Sequence, residues 1–289
     1  MSFISIIIPT YNDWFRLALC LDALSQQTYP DKKFEIIVVN NNPLNKLPAN
    51  YIIPGNCTVI NEIKPGSYAA RNTALKIAKG EILGFTDSDC IPDFNWIKNA
   101  VNYFAQNKQI SRIAGHIELF FKSEKLTPAE LYEKVYAFKQ ERTVQLMGSG
   151  VTGNMFSYKY VFNAIGNFKE DFLSGGDHEW AKRAQLANFK IAYVKNVIIR
   201  HPARNRMTQL VTKTKRITGG RMLAGKNKIK VVLGLIKSLK PPFNNYINKN
   251  GNDLSWEQKL IVFFIKYYLN IIERYEEFKL AFGKKPLRQ

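Results

Sequence analysis

Gly80-Glu81-Ile82-Leu83-Gly84-Phe85-Thr86-Asp87-Ser88-Asp89 is an apolar run that ends on two carboxylates one residue apart. Ile82 to Thr86 suit a short buried strand, and such a strand delivers Asp87 and Asp89 to its exposed carboxyl end. Two carboxylates so placed form a hard-oxygen site for Mg²⁺ or Mn²⁺, with positions left over for water and phosphate oxygens. A metal held there can clamp a diphosphate and neutralise the charge that builds on it as a leaving group. An isolated Asp-Ser-Asp is commonly no more than a solvated turn, so its neighbours decide.

Upstream, strand and helix signals alternate. Phe3–Ile8 is a β-branched strand closed by Pro9, and Trp14–Gln27 has apolar residues at helical spacing. Phe34–Val39 is a second strand, ended by Asn40-Asn41-Asn42-Pro43, and Cys57–Ile60 a shorter third. Ser67–Lys79 reads as a helix opened by a serine cap after Pro65-Gly66. Glu81–Thr86 is the fourth strand, and Ile97–Gln106 is helical. Strands separated by helices predict an α/β fold with a mostly parallel sheet covered on both faces. Ligands of such sheets bind beyond the carboxyl ends of the strands, where Tyr11-Asn12, Asn40 and Asp87 all fall. Beyond Ser111 the pattern changes to a strand at Ile113–Phe121, a helix at Pro128–Arg142, a break at Gly148-Ser149-Gly150 and a mixed region up to His201. Arg204–Lys240 has helical tendency, Pro241-Pro242 ends it, and Trp256–Phe282 is a long aromatic-rich amphipathic helix.

The 46% hydrophobic content supports a core and argues against wholesale disorder. Met1 to Pro9 lacks the basic start of a signal peptide and is too short for a span, and three widely spaced cysteines (Cys20, Cys57, Cys90) show no pairing or zinc pattern. These features predict a cytoplasmic protein with free thiols. The net charge of +19 is uneven: residues 200–289 hold 20 Lys and Arg against 5 Asp and Glu.

Several ordered blocks resemble the family-two glycosyltransferases of GT-A fold. They are Ser5-Ile6-Ile7-Ile8-Pro9-Thr10-Tyr11-Asn12, Glu35-Ile36-Ile37-Val38-Val39-Asn40-Asn41, Ala70-Arg71-Asn72 with the Asp-Ser-Asp stretch, Ser174-Gly175-Gly176-Asp177-His178-Glu179-Trp180 with Arg183, and His201-Pro202. The resemblance implies a GT-A catalytic domain over residues 1–203, with a nucleotide-binding half to about 110 and an acceptor half from about 111 to 203. Residues 204–289 would be a basic amphipathic helical region. It further implies that Pro9, Thr10, Tyr11, Asn40, Arg71, Asp87 and Ser88 meet a nucleotide-diphospho-sugar, a UDP-sugar first. Asp87, Asp89 and His201 would hold Mn²⁺ or Mg²⁺. Asp177 is the general base and Glu179 the alternative, while Gly175, Gly176, His178 and Trp180 face the acceptor. The family commonly carries Asp where this chain has Asn40, and Glu-Asp where it has Gly176-Asp177. Competing readings are that Asn40 is a turn residue, that Arg71 caps its helix, that Trp180 is core, and that Asp177 and Glu179 merely favour a helix N-terminus.

The chemistry asks for a group that holds the nucleotide, one that stabilises the departing diphosphate, and a base for the acceptor hydroxyl. A base opposite the leaving group means single displacement with inversion. The basic, aromatic C-terminal region suits the surface of an anionic membrane, peripheral on its inner face, next to a glycan or lipid-linked acceptor of cell-envelope or polysaccharide synthesis. Its apolar positions packing on the catalytic domain is the other reading. Two rivals stand beside sugar transfer, an inactive scaffold of the same fold and a nucleic-acid binder working through the basic tail. No specific nucleic acid is expected, because no binding motif is visible. Nucleotidylyl transfer is disfavoured because Thr10-Tyr11-Asn12-Asp13 is no Gly-rich basic loop.

Overall fold

The structure is a computed structural model that describes residues 1–172, 174–223, 234, 251–284 and 286. Its contacts divide the chain into two compact units, one of Met1–Glu118, Lys139–Asp171 and Gly176–His201, the other of Leu119–Phe138, Phe172–Gly175 and Pro202–Gln289.

The first unit is built on a sheet. Its strands are β1 (Ile4–Thr10), β2 (Phe34–Asn40), β3 (Cys57–Asn61), β4 (Ile82–Thr86), β5 (Ile91–Pro92), β6 (Arg112–Phe120), β7 (Asn154–Tyr158) and β8 (Ile191–Pro202). They lie in the order β3-β2-β1-β4-β7-β6-β8-β5. β1 pairs in parallel with β2 and β4, and β2 with β3. β7 is antiparallel to both β4 and β6. The strands of the parallel half are apolar runs because both their faces are covered: Ile6, Ile7, Ile8, Val38, Leu83 and Phe85 are all buried.

The sheet is covered by α1 (Trp14–Ser25), α2 (Ser67–Ile77), α3 (Trp96–Gln106), α5 (Gln140–Met147), α6 (Lys159–Ile165) and α7 (Gly176–Leu186). α2 comes close through small residues, with Ala69, Ala70 and Ala74 buried. Ser67 is its first helical residue rather than its cap. The cap is Gly66, whose φ of +123° only glycine adopts without strain. The break expected at Gly148-Ser149-Gly150 is no flexible joint. Gly148 closes α5 in the left-handed region, and Ser149 and Gly150 are buried.

β7 was not legible as a strand in the sequence, yet its first residue ties the sheet together. Asn154 is fully buried; its Nδ2 donates to the carbonyls of His116 (2.7 Å) and Val197 (2.9 Å), and its Oδ1 accepts from Trp96 Nε1 (2.9 Å). One amide thus satisfies backbone groups of β6 and β8 that would otherwise be buried and unpaired.

The second unit holds α4 (Pro128–Tyr136), α8 (Met207–Leu223) and α9 (Trp256–Ala281). The helix expected over Pro128–Arg142 is two helices. The chain turns out of helix at Ala137 (ψ 148°), and Phe138 has a positive φ of 46°. Complete capping boxes open α4 (Thr127 with Glu130) and α9 (Ser255 with Gln258). Their apolar faces meet, Leu131 and Val135 with Val262, and Ala129 and Leu210 with Ile265 and Leu269. The rest of the basic stretch, including Pro241-Pro242, lies outside the described residues, apart from Gly234.

Candidate active site

The carboxyl end of β4 and the start of α7 bring Asp87 and Asp177 to one helix, α2. Arg71, buried on α2, donates through a terminal guanidinium nitrogen to Asp87 Oδ1 at 2.5 Å. One turn earlier, Tyr68 donates its hydroxyl to Asp177 Oδ1 at 3.2 Å and accepts from the Asp177 N–H at 3.2 Å. Asp177 also accepts from the backbone N–H of His178 (2.9 Å) and of Thr152 (3.4 Å). Next in sequence to Thr152, a Cβ at Gly153 would stand 3.4 Å from Asp87 Oδ2. Asp87 and Asp177 are therefore held by one face of α2, through Arg71 and Tyr68. Asn72, the next residue of α2, exchanges hydrogen bonds with the backbone of Phe168 (2.8 and 3.2 Å).

Asp89 faces a different set of groups. Its Oδ2 lies 3.6 Å from His201 Nε2 and 3.3 Å from an Arg16 guanidinium nitrogen, and Arg16 also pairs with Asp13 at 2.7 Å. Asp89, Cys90 and His201 form a cluster whose donor atoms all lie within 4.8 Å of one another. A carboxylate and an imidazole suit Mn²⁺ or Mg²⁺ with water completing the shell. Cys90 is the weaker match of the three, because a soft sulfur donor suits Mn²⁺ or Mg²⁺ less well than oxygen and nitrogen do. Asp87 stands outside the cluster, turned to Arg71. Three buried polar atoms at this end of the sheet lack a hydrogen-bond partner: Thr10 Oγ1, Thr86 Oγ1 and Arg71 Nε. Unsatisfied donors and acceptors of this kind are what a polar ligand would satisfy.

The other sequence-predicted residues divide. Tyr11 is 52% exposed at the end of β1, while Pro9 and Ser88 are buried. Asn40 does not offer its amide to a ligand: its Nδ2 donates to the Asn45 carbonyl and its Oδ1 accepts from the Asn42 N–H, both at 3.0 Å. An aspartate could not make the first of these bonds, so the departure from the family pattern follows from the loop this residue closes. Gly176 has a similar reason. A Cβ there would come within 2.8 Å of the Tyr68 ring, which leaves no room for an acidic side chain beside Asp177. Gly175, in the second unit, has φ +80°.

Glu179 is engaged elsewhere. Arg183 Nε reaches both its oxygens (3.0 and 3.2 Å) and Lys169 lies at 2.9 Å. Burial would raise its carboxyl, but the hydrogen bonds from Arg183 and Lys169 outweigh that and hold it below the ordinary range. Trp180 cannot be an acceptor platform. It is 0% exposed, stacked on Phe162 with centroids 4.3 Å apart, and its Nε1 donates to the Gly166 carbonyl at 3.0 Å. His178, half-buried, pairs its Nδ1 with Ser149 Oγ at 2.7 Å. His116 is paired with the Tyr193 hydroxyl (3.0 Å), in keeping with a structural role.

Sequence reasoning missed Tyr68, Arg16 and Thr152. Tyr68 had a usable signal, since it lies three residues before Arg71 and so shares its helix face. Arg16 and Thr152 had none, because only tertiary contact brings them to the acids.

The sequence profile described as Glycosyl transferase family 2 matches residues 5–165. The chain is 32% identical over 209 residues to Glycosyltransferase AglE of Haloferax volcanii, covering 71% of this chain and 68% of that protein. It is 22% identical over 229 residues to a Methanococcus voltae protein named Dolichyl N-acetyl-alpha-D-glucosaminyl phosphate 3-beta-D-2,3-diacetamido-2,3-dideoxy-beta-D-glucuronosyltransferase, covering 74% and 71%. Among solved structures, mannosyltransferase PcManGT from Pyrobaculum calidifontis, in complex with GDP-Man and Mn²⁺, gives a TM-score of 0.56 at 18% identity. That match covers 99% of this chain and 76% of the other, and at such identity the likeness is one of fold.

Proposed function

The chain belongs to glycosyl transferase family 2, and from that premise we propose that it moves a sugar, with inversion, from a nucleotide-diphospho-sugar to a hydroxyl of a glycan or lipid-linked acceptor. The fold is of the GT-A type, and the protein is a glycosyltransferase.

One observation carries the mechanism: the Tyr68–Arg71 face of α2 holds Asp177 at one end and Asp87 at the other. Asp177 is 7% exposed and oriented by three donors, the hydroxyl of Tyr68 and two backbone N–H groups. It is the general base that takes the acceptor proton. Glu179 is set aside because two cations, Arg183 and Lys169, pair with it and hold its carboxyl below the ordinary range, which makes it the weaker base. Thr10, Tyr11 and Asp87 meet the donor nucleotide at the strand ends, with Arg71 positioning Asp87. Asp89 and His201 would hold a divalent cation, which supplies a Lewis acid for the charge on the departing diphosphate. With a base on the face opposite the leaving group, displacement is single and the anomeric configuration inverts.

Asn40 and Gly176, the two departures from the family pattern, both have local reasons, so neither argues for an inactive scaffold. A lipid-linked acceptor is taken from the Methanococcus voltae relative, whose name specifies a dolichyl-linked sugar phosphate. Cell-envelope or other glycan assembly is the setting that follows.

The test is thermal stabilisation by nucleotide diphosphates with and without Mn²⁺, beside Asp89→Ala. UDP heads the panel and GDP follows, since the mannosyltransferase of like fold carries GDP-Man. Metal-dependent stabilisation by one nucleotide, lost in the variant, supports the donor site. No response to any nucleotide would overturn it.

A further inference from the structure

The outward face of α9 is apolar, the reverse of what a solvated helix presents. Its inner face packs through Val262, Ile265 and Leu269 onto α4 and α8. On the other side stand Trp256 (70% exposed), Leu260, Phe264 (62%), Tyr268 (46%), Tyr275 (55%) and, just past the helix end, Phe282. These positions recur at intervals of four and seven, so they form one continuous row. At a rise of about 1.5 Å per residue it runs about 39 Å along the helix. Among the described residues no helix is long and apolar enough to cross a membrane.

We propose that this row is a docking face for an anionic lipid bilayer, on which α9 lies in the interface plane. Two independent features select that partner. Trp, Tyr and Phe are the residues that settle at the boundary between headgroups and acyl chains, where an apolar body and a polar edge are both satisfied. The charge is also complementary. Residues 200–289 carry 20 basic against 5 acidic side chains, and six of those basic side chains, all lysines, fall in the stretch 224–250, which has no acid. Each basic side chain near an anionic surface adds about 1 kcal/mol of attraction, while the aromatic row supplies the apolar term. A lipid surface gives this helix a use for both features at once, whereas a solvated basic tail would need no aromatic row. The inference is independent of the sugar-transfer chemistry, and its test uses no nucleotide or sugar.

The full chain is mixed with vesicles of phosphatidylcholine alone and with vesicles that are about one third phosphatidylglycerol. Trp256 is a built-in reporter, because Trp14, Trp96 and Trp180 are all buried. The protein should pellet with anionic vesicles only, and brominated lipid should quench its fluorescence. Raising salt to about 0.5 M should weaken binding about tenfold. Phe264→Ser with Tyr268→Ser should cut partitioning by about tenfold or more while leaving the melting temperature in place, since both side chains are exposed. Should that variant melt early, quenching of Trp256 in the unaltered protein decides, with Trp256→Phe as its blank. The proposal is overturned if the unaltered protein stays in the supernatant, if it pellets with Trp256 unquenched, or if the stably folded double variant binds as before. A lipid-free dimer in sedimentation velocity that the double variant dissolves would also overturn it, assigning the face to a second copy of the chain.

Discussion

Tyr68 and Arg71 lie one turn apart on α2, the guanidinium carbon of Arg71 5.7 Å from the centroid of the Tyr68 ring, and each holds a different carboxylate. The same helix therefore orients the proposed base and the donor-side acid, and a shift of α2 would move both. Burial, and after it the charge of Asp177, pushes the Tyr68 hydroxyl far above the ordinary tyrosine range. Tyr68 accordingly stays a neutral donor to Asp177 at any working pH.

Tyr68→Phe removes that donor while keeping the ring. A hydrogen bond to a charged group contributes about 1.5–3 kcal/mol, so kcat for sugar transfer should fall about 10- to 100-fold. The KM for donor should change little, since Arg71 and Asp87 are untouched. Steady-state kinetics alongside a thermal melt check this. A drop in melting temperature with unchanged kcat per folded molecule would reduce Tyr68 to a packing residue.

Gly176→Ala should be costly although alanine is small. The added Cβ would stand 2.8 Å from the ring of the buried Tyr68, so the ring or the helix start must shift. Overpacking of this kind costs about 1–3 kcal/mol. Denaturant unfolding should show that loss, and activity should fall with it because the ring carries the hydroxyl that orients Asp177. In a Tyr68→Ala background the added cost of Gly176→Ala should largely vanish while activity stays low, which separates the clash from the hydrogen bond.

The parallel half of the sheet was readable because strands covered on both faces must be continuous apolar runs, and Ile4–Thr10, Phe34–Asn40 and Ile82–Thr86 are such runs. β7 was not, since Asn154-Met155-Phe156-Ser157-Tyr158 neither alternates nor runs apolar. Its place between β4 and β6 is set by partners far away in the sequence. Asp87 and Asp89 were readable from the end of an apolar strand, whereas Asp177 and His201 were expected only from the resemblance to the family. Trp180 was ambiguous because an aromatic next to a catalytic acid looks the same in sequence whether it faces a ligand or the core. Only contact with Phe162 and Phe168 resolves it. Asn40 was ambiguous for a related reason: an amide can close its own loop or read a base, and the loop wins here.

The metal cluster separates by donor type. His201→Ala should raise the Mn²⁺ concentration for half-maximal activity by at least about tenfold, and Asp89→Asn should raise it further. Cys90→Ser should leave it within about twofold, since sulfur is a soft donor and contributes little to a hard cation. A chelator should abolish turnover, and Mn²⁺ should restore it. Metal titrations of the three variants would distinguish this from a site in which all three residues ligate equally.

In the second unit, Glu133 is fully buried between Arg204 (3.0 Å) and Lys213 (2.8 Å). Burial raises the Glu133 carboxyl, but the charges of Lys213 and Arg204 outweigh it and hold it below the ordinary range. Lys213 is also lowered, by burial first and then by Arg204, which marks it as a cation expensive to keep. The net worth of such a cluster is small, whereas breaking it strands buried charge at about 3–5 kcal/mol. Glu133→Gln should therefore lower stability by about that amount at neutral pH, and adding Lys213→Met should recover part of it. The sign of the acid dependence follows from the depressed carboxyl. Its stabilising contribution is complete above the unfolded value of about 4.3 and is lost as pH falls through the lower folded one. Denaturant melts taken downward from neutral pH should show the gap between the unaltered protein and Glu133→Gln closing in that acid window. A gap that stays constant there would mean that Glu133 acts through shape rather than charge.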